Sequence, residues 1–182
     1  MSHKQGDRMS DLDFKLMAAL FAILDFFYPY VAKRACTFGI TEGMTVVDYG
    51  CGPGRYTLQF VALVGQSGKV YAVDVQPLAV EAVRRKAAKQ GLSNVEAVTA
   101  QGYDSGLPDK VADIVCAIDM FFSVKEPTRF LAELRRIIKD DGTLVIDDGH
   151  QRRSVTKQKI VASGCWVIRE ETRDHLKCKP AH

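Results

Sequence analysis

Apolar and polar positions along this chain switch repeatedly between two periods. Short runs rich in β-branched residues, Thr45 to Asp48, Lys69 to Asp74 and about Val95 to Thr99, alternate with stretches whose apolar residues recur every three or four positions. A fourth run, Ala112 to Ile118, is apolar enough for burial on both faces, and Thr143 to Asp147 supplies a fifth. Helices are predicted over residues 11 to 35 with a break at Tyr28-Pro29, from about Arg55 to Val64, and from Pro77 to a stop at Gly91. A helix after Pro127 sets Phe130, Leu131, Leu134, Ile137 and Ile138 on one stripe, with Arg135 and Arg136 off it, and is expected to stop at Asp141-Gly142. One more helix, roughly Ser154 to Ser163, precedes strands at Cys165 to Glu171 and His175 to Lys179. Only Thr172, Arg173 and Asp174 separate those two strands, so they must form an antiparallel hairpin.

This alternation predicts an α/β fold: a doubly wound, Rossmann-like sheet of seven mostly parallel strands, with helices on both faces and a C-terminal antiparallel hairpin. Ligands on such sheets bind at the carboxyl ends of the strands, so candidate chemistry is sought just after each one. The 182 residues leave room for one domain, which excludes a dehydrogenase with a separate substrate domain. A net charge of +3 gives no electrostatic reason to expect nucleic acid or anionic lipid as the main partner. Five scattered cysteines, Cys36, Cys51, Cys116, Cys165 and Cys178, contain no Cys-x-x-Cys pair and read as reduced thiols of a cytoplasmic protein. The polar first ten residues do not resemble a signal peptide, and the longest uncharged run near them, Leu16 to Leu24, is about half of a membrane span, so no stable membrane insertion is expected.

The first strand leads into VVDYGCGPGRYT, with Asp48, Gly50, Gly52 and Gly54 at alternate positions. Glycines there let backbone N–H groups approach a ligand at a helix N-terminus, although a strand-to-helix turn also carries glycine for steric reasons. The second strand ends VYAVDVQP and puts Asp74 at its tip, 20 residues after Gly54, where a carboxylate can accept both hydroxyls of an adenosine ribose. Counting from Gly50, the sixth position is Arg55, where the dinucleotide fingerprint wants glycine. Asp48 would also repel a pyrophosphate, whereas a ligand bearing an ammonium and a sulfonium suits it. The residues therefore favour S-adenosylmethionine over a nicotinamide cofactor.

With these stretches, and with GLPDKVADIV and FLAELRRIIKDDGTLVI, the chain resembles the class I S-adenosylmethionine-dependent methyltransferases, in particular the small soluble set similar to ubiquinone and menaquinone methyltransferases. The resemblance covers about residues 36 to 182, the methyltransferase domain, and leaves 1 to 35 as an N-terminal helical lid segment of that domain. It implies that the loop Asp48, Tyr49, Gly50, Cys51, Gly52 and Gly54 wraps the methionine part of the cofactor, that Asp74 binds the ribose hydroxyls and that Val75 packs on the adenine. The family's frequent Gly-Asp-Ala before Leu107-Pro108 is here Gly102-Tyr103-Asp104, so either Asp104 takes the adenine amino group or Tyr103 covers the ring.

Methyl transfer is an in-line displacement, for which alignment and desolvation can suffice, and a general base is needed only when the acceptor arrives protonated. Asp119 after the fourth strand, also a cofactor contact, and His150 after the fifth are the catalytic candidates. Asp119, Asp147 and Asp148 together resemble the magnesium site of catechol-type O-methyltransferases, a weak metal reading because that family has Asp-Asn at the last two positions. Cys51 is expected to pack, and Cys165, His175 and Cys178 to reflect alternation along two strands rather than a metal site. The Asn/Asp-Pro-Pro-Tyr and Pro-Cys signatures of nucleic-acid methyltransferases are missing.

The segment FKLMAALFAILDFFYPY, Phe14 to Tyr30, is apolar around nearly the whole helix and must bury more than one side, in the core, in a homodimer contact or as a lid. In the lid reading Phe26, Phe27, Tyr28 and Tyr30 line the acceptor pocket. The expected activity is transfer of the methyl group of S-adenosylmethionine to a small, apolar or aromatic acceptor. The alternatives are a non-catalytic S-adenosylmethionine-binding module and the metal-dependent O-methyltransferase.

Overall fold

The computed structural model describes residues 8–27 and 30–181, with the backbone alone for 22–27. Helices α1 (Asp11–Phe27) and α2 (Tyr30–Ala35) precede β1 (Thr45–Tyr49), α3 (Arg55–Val64), β2 (Lys69–Asp74), α4 (Pro77–Lys89) and β3 (Val95–Thr99). There follow β4 (Ala112–Ala117), a 3₁₀ turn at Phe121–Ser123, α5 (Pro127–Ile137), β5 (Ile138–Ile146), α6 (Arg153–Ala162), β6 (Trp166–Glu171) and β7 (Leu176–Pro180). Proline opens α4 and α5, where a missing backbone N–H costs nothing, and Gly91 follows α4 with φ of 65°. Among the described residues, no helix is long and apolar enough to cross a membrane.

All seven strands form one sheet in the order β3-β2-β1-β4-β5-β7-β6, parallel except where β7 runs antiparallel between β5 and β6. Alternation along the strands divides the core. Val46, Val70, Ile114, Cys116 and Val145 face α2 and α3, while Val47, Val115, Leu144 and Ile146 face α5 and α6. A smaller cluster of Cys51, Ala72, Val80, Val83 and Ala97 seats α4. The chain winds outward from β1 through β2 to β3 and then returns to β4, so the carboxyl ends of β1 and β4 flank the switch point where such sheets open a crevice.

The elements after Pro127 depart from the periodicity. The helical stripe predicts Ile138 inside the helix and the fifth strand from Thr143, yet α5 ends at Ile137 and β5 begins at Ile138. Ile138 pairs with Ala112, the register then slips, and Thr143 pairs with Ile114, so the chain from 139 to 142 bulges between two paired segments. Ile138 is fully buried either way, which is why an apolar stripe could not distinguish the two conformations. Ile138→Ala should cost about 3 kcal/mol, the price of a cavity in the core. Lys139→Ala, on the exposed bulge, should cost less than about 1 kcal/mol despite its ion pair with Asp113. Urea unfolding of the two variants measures both.

Candidate functional site

The glycine loop after β1 is fastened to the neighbouring strand: the N–H groups of Gly50 and Cys51 both donate to the carbonyl of Val73, at 2.8 and 3.1 Å. Two of its glycines are required for different reasons. Gly50 has φ of 81°, and a Cβ there would lie 2.7 Å from Cγ of Met120, so only glycine lets the residues after β4 close against the loop. Gly52 has φ of 51°, and a Cβ there would meet nothing within 4 Å, so the loop presents backbone to open space. That is the cradle an extended ligand needs. Cys51 is buried against Ala72 and Val83, with burial raising its thiol well above the ordinary range, in keeping with packing rather than nucleophilic work.

Two carboxylates border the loop. Asp48 is buried, accepts a 2.6 Å hydrogen bond from the Thr57 hydroxyl, and is pushed up to about 7 by burial, with the Thr57 bond opposing the shift and the charge of Asp74 adding to it. Asp74 accepts from Gly52 N–H at 2.9 Å through Oδ2 and from Gln76 N–H at 2.8 Å through Oδ1, and burial raises its carboxyl too. Neither forms an ion pair among the described residues. Two carboxylates without an ion-pair partner, at the ends of β1 and β2 beside the glycine loop, fit the ammonium, sulfonium and ribose hydroxyls of S-adenosylmethionine.

Tyr103 and Asp104, the two alternatives for the adenine side, face different surroundings. The Tyr103 carbonyl accepts the Tyr49 hydroxyl at 2.8 Å, the Tyr103 hydroxyl accepts the N–H of Glu126 at 3.1 Å, and its ring lies 6.0 Å from that of Phe130. Tyr103 is thus turned to α5. Tyr49 likewise sends its ring into the core against Phe130 and has only backbone to offer a ligand. Asp104 is exposed, its Oδ1 accepting from Gly106 N–H, next to the exposed Gly102, while Val75 stays half-buried on the edge of the core.

On the other side of the switch point, the tips of β4 and β5 are drawn together by a residue that the sequence did not single out. Arg34 of α2, 8% exposed, donates to Asp147 Oδ2 at 2.6 Å, to the Tyr56 hydroxyl at 2.9 Å and to the Asp174 carbonyl at 2.6 Å, and lies 3.5 Å from Asp119 Oδ1. Asp147 uses its other oxygen to accept Asp119 N–H at 2.9 Å, which holds Asp119 at φ of 57°, a left-handed conformation rare outside glycine. Burial and the charge of Asp119 push the Asp147 carboxyl up to about 6, with Arg34 pulling it back. Asp148 turns away to Arg153, at 2.6 Å.

Of the sequence candidates, then, Asp119 and Asp147 meet and Asp148 does not join them. A guanidinium occupies the position between the first two that an oxygen-bound cation would take. His150 packs on Phe122, ring centroids 4.8 Å apart, and is exposed on the same rim as Asp119. Tyr30 is 54% exposed at the start of α2, whereas the side chains of Phe26 and Phe27 and all of Tyr28 lie outside the described residues. At the C-terminus, His175 packs on Phe38 and Cys178 sits in the core beneath the sheet, and no group of three metal-ligating side chains forms among the described residues. Thr57, Gln76 and Arg34 escaped the sequence reading. Thr57 carried a weak signal, as a hydroxyl in the first turn after the glycine loop; Arg34 carried none, because its partner is 113 positions away.

Comparison with known proteins identifies the family. The sequence model of a family described as a methyltransferase domain matches residues 40–176. Protein-L-isoaspartate O-methyltransferase of Methanococcoides burtonii is 32% identical over 138 residues, 75% of this chain and 64% of that protein. The ubiquinone/menaquinone biosynthesis C-methyltransferase UbiE of Marinomonas sp. is 30% identical over 109 residues, 59% of this chain and 43% of that one. The chain spans 64% and 43% of the lengths of these two relatives. Among solved structures, a SAM-dependent methyltransferase from Aquifex aeolicus superimposes with a TM-score of 0.76 at 28% identity, covering 83% of this chain and 89% of that one. By its family match and its sheet, with a glycine loop between two acidic strand ends, the chain belongs to the class I S-adenosylmethionine-dependent methyltransferases.

Proposed function

We propose that this protein moves the methyl group of S-adenosylmethionine to a small-molecule acceptor and releases S-adenosylhomocysteine. The observation that carries the proposal is the pair of carboxylates, the buried Asp48 and the half-buried Asp74, without an ion-pair partner on either side of the glycine loop. When bound, the cofactor supplies an electrophilic methyl carbon on a sulfonium. In this reading Asp48 receives the cationic methionine end, Asp74 the ribose hydroxyls, Asp104 the adenine amino group, and Val75 an adenine face.

The acceptor approaches over the rim of Asp119, Phe122 and His150, with Tyr30 of α2 beside it. Asp119 has a half-exposed side chain and a backbone conformation costing about 1–3 kcal/mol, and such strain is retained where a side chain must be aimed. Its role is to accept a proton or a hydrogen bond from the acceptor. The apolar side chains of α1 support an apolar or aromatic acceptor, with α1 as a lid. Arg34 and Arg153 on the carboxylates of Asp147 and Asp148 favour a reaction without a bound divalent cation. Five unpaired cysteines suit a reducing cytoplasm.

Release of S-adenosylhomocysteine in a screen of quinols, phenols, thiols, amines and arsenite tests the reading. Turnover of one class, unchanged by EDTA, is expected, while cofactor binding without turnover would favour a non-catalytic binding module. Asp74→Ala should weaken S-adenosylhomocysteine binding at least about tenfold in calorimetry, from loss of the charged hydrogen bonds to the ribose. Asp119→Gly should lower turnover more than about tenfold while leaving Tm equal or higher, since glycine adopts the left-handed backbone without strain.

Asp48 gives a pH signature. Its carboxyl titrates at about 7 in the folded chain and near 4 when unfolded, so below about pH 4 both states are protonated and the group has no effect. Between those values only the unfolded state loses its proton, and stability falls as pH rises until the folded carboxyl ionises too. Asp48→Asn should therefore raise the Tm of the ligand-free protein by several degrees at pH 8 and little at pH 4, while abolishing tight binding of S-adenosylmethionine. Thermal scans at the two pH values measure the difference.

A further inference from the structure

Helix α1 is fastened across the cofactor crevice at two points, each next to a cofactor residue. Its inward stripe is Phe14, Met17, Ala18 and Phe21, spaced three, one and three apart, with Phe14 buried, while Leu12, Leu16 and Leu20 are exposed on the outer side. At the far end of the described side chains, the Phe21 ring lies 4.0 Å from the guanidinium of Arg55, the residue after Gly54. At the near end, the side chain of Gln76 donates through Nε2 to the Met9 carbonyl at 2.9 Å and to Asp11 Oδ1 at 3.1 Å. Gln76 is 3% exposed although Met9 and Asp11 are exposed, so its amide donor is shielded from water by the helix it holds, and an unmet donor there is costly.

The same residue touches the ribose carboxylate. The backbone N–H of Gln76 donates to Asp74 Oδ1 at 2.8 Å, and its Oε1 accepts the N–H of Leu78 at the start of α4. One glutamine therefore orients Asp74 through its main chain, caps α4 with its oxygen and holds α1 with its nitrogen. A shift of Asp74 on taking a diol reaches the residue that fastens the helix through one hydrogen bond and the two peptide units between them.

We propose that Gln76 is a positioning residue that couples docking of α1 to binding at Asp74, so that cofactor binding and α1 docking strengthen each other by the same factor. The proposal rests on the cofactor reading of Asp74. It differs from a helix that merely covers the crevice, because the coupling runs through one identifiable donor, Nε2.

Glutamate at this position keeps the oxygen that caps α4 but replaces the donor with a second acceptor facing the Met9 carbonyl and Asp11. Gln76→Glu should lower Tm by several degrees, because it sets a carboxyl against two acceptors at a buried position, while circular dichroism shows the sheet still folded. It should weaken S-adenosylhomocysteine binding about three- to tenfold, the loss of one or two hydrogen bonds. In hydrogen exchange, S-adenosylhomocysteine should slow the amides of residues 11–21 in the wild type, and Gln76→Glu should remove that slowing while the glycine loop is still protected. Asp11→Ala, remote from Asp74, should reproduce a smaller part of the effect, and the double variant should fall short of the sum. Equal protection of residues 11–21 in wild type and Gln76→Glu, or additive losses, would overturn the coupling while leaving the cofactor reading intact. No heat on adding S-adenosylhomocysteine to the wild type would overturn the cofactor reading and the coupling with it.

Discussion

A single guanidinium group joins the tips of the sheet to the helices before it. Arg34 lies between Asp147, Asp119, the Tyr56 hydroxyl and the Asp174 carbonyl, and so ties α2, α3, the ends of β4 and β5 and the turn before β7 into one unit. Removing a charge from water is costly, and an ion pair at this depth is held in place because breaking it strands the other partner, a loss of about 3–5 kcal/mol. The side chain of Arg34 also lies about 6 Å from the rings of Phe38 and Tyr56, which give the cation an apolar wall rather than solvent. The left-handed backbone of Asp119 follows from this arrangement, since Asp147 can bond Arg34 with one oxygen and the Asp119 N–H with the other only if the chain turns sharply after β4.

The crevice is thereby electrostatically divided. On the side of β4 and β5, the chain supplies its own cations, and the carboxylates of Asp147 and Asp148 are engaged. On the side of β1 and β2, the buried Asp48 and the half-buried Asp74 have hydroxyl and amide donors but no ion-pair partner, and desolvation raises both. In the proposed function, the cofactor with its cationic and diol ends takes the unpaired half and the acceptor the half that the protein has already neutralised. Gln76 then stands where the unpaired half meets α1, which places the N-terminal helix under the influence of the same carboxylate.

Much of this was legible along the chain because it is local. Glycines at alternate positions after an apolar run, followed by an acidic residue at the next strand's tip, mark the loop and Asp74, since strand, turn and helix are consecutive and each residue's place is set by its neighbours. The sheet class, the hairpin and the core faces follow from period and connection length, whereas the order of the strands is seen only in the folded sheet. Where two conformations bury the same side chain, period fails: Ile138 is apolar on a helix stripe and apolar in a strand, and only pairing with Ala112 decides between them. The contacts of Tyr103 were likewise invisible along the chain: its hydroxyl meets the Glu126 N–H and its carbonyl the Tyr49 hydroxyl.

Sequence alone thus determined the doubly wound sheet, the glycine loop, the two acidic strand ends and the family resemblance, because these depend on residues a few positions apart. Tertiary structure decided which carboxylates are free to meet a ligand. Asp119, Asp147 and Asp148 looked alike in the sequence, but a buried charge is defined by what faces it. The groups that face these three, Arg34 and Arg153, reach them only when the chain is folded.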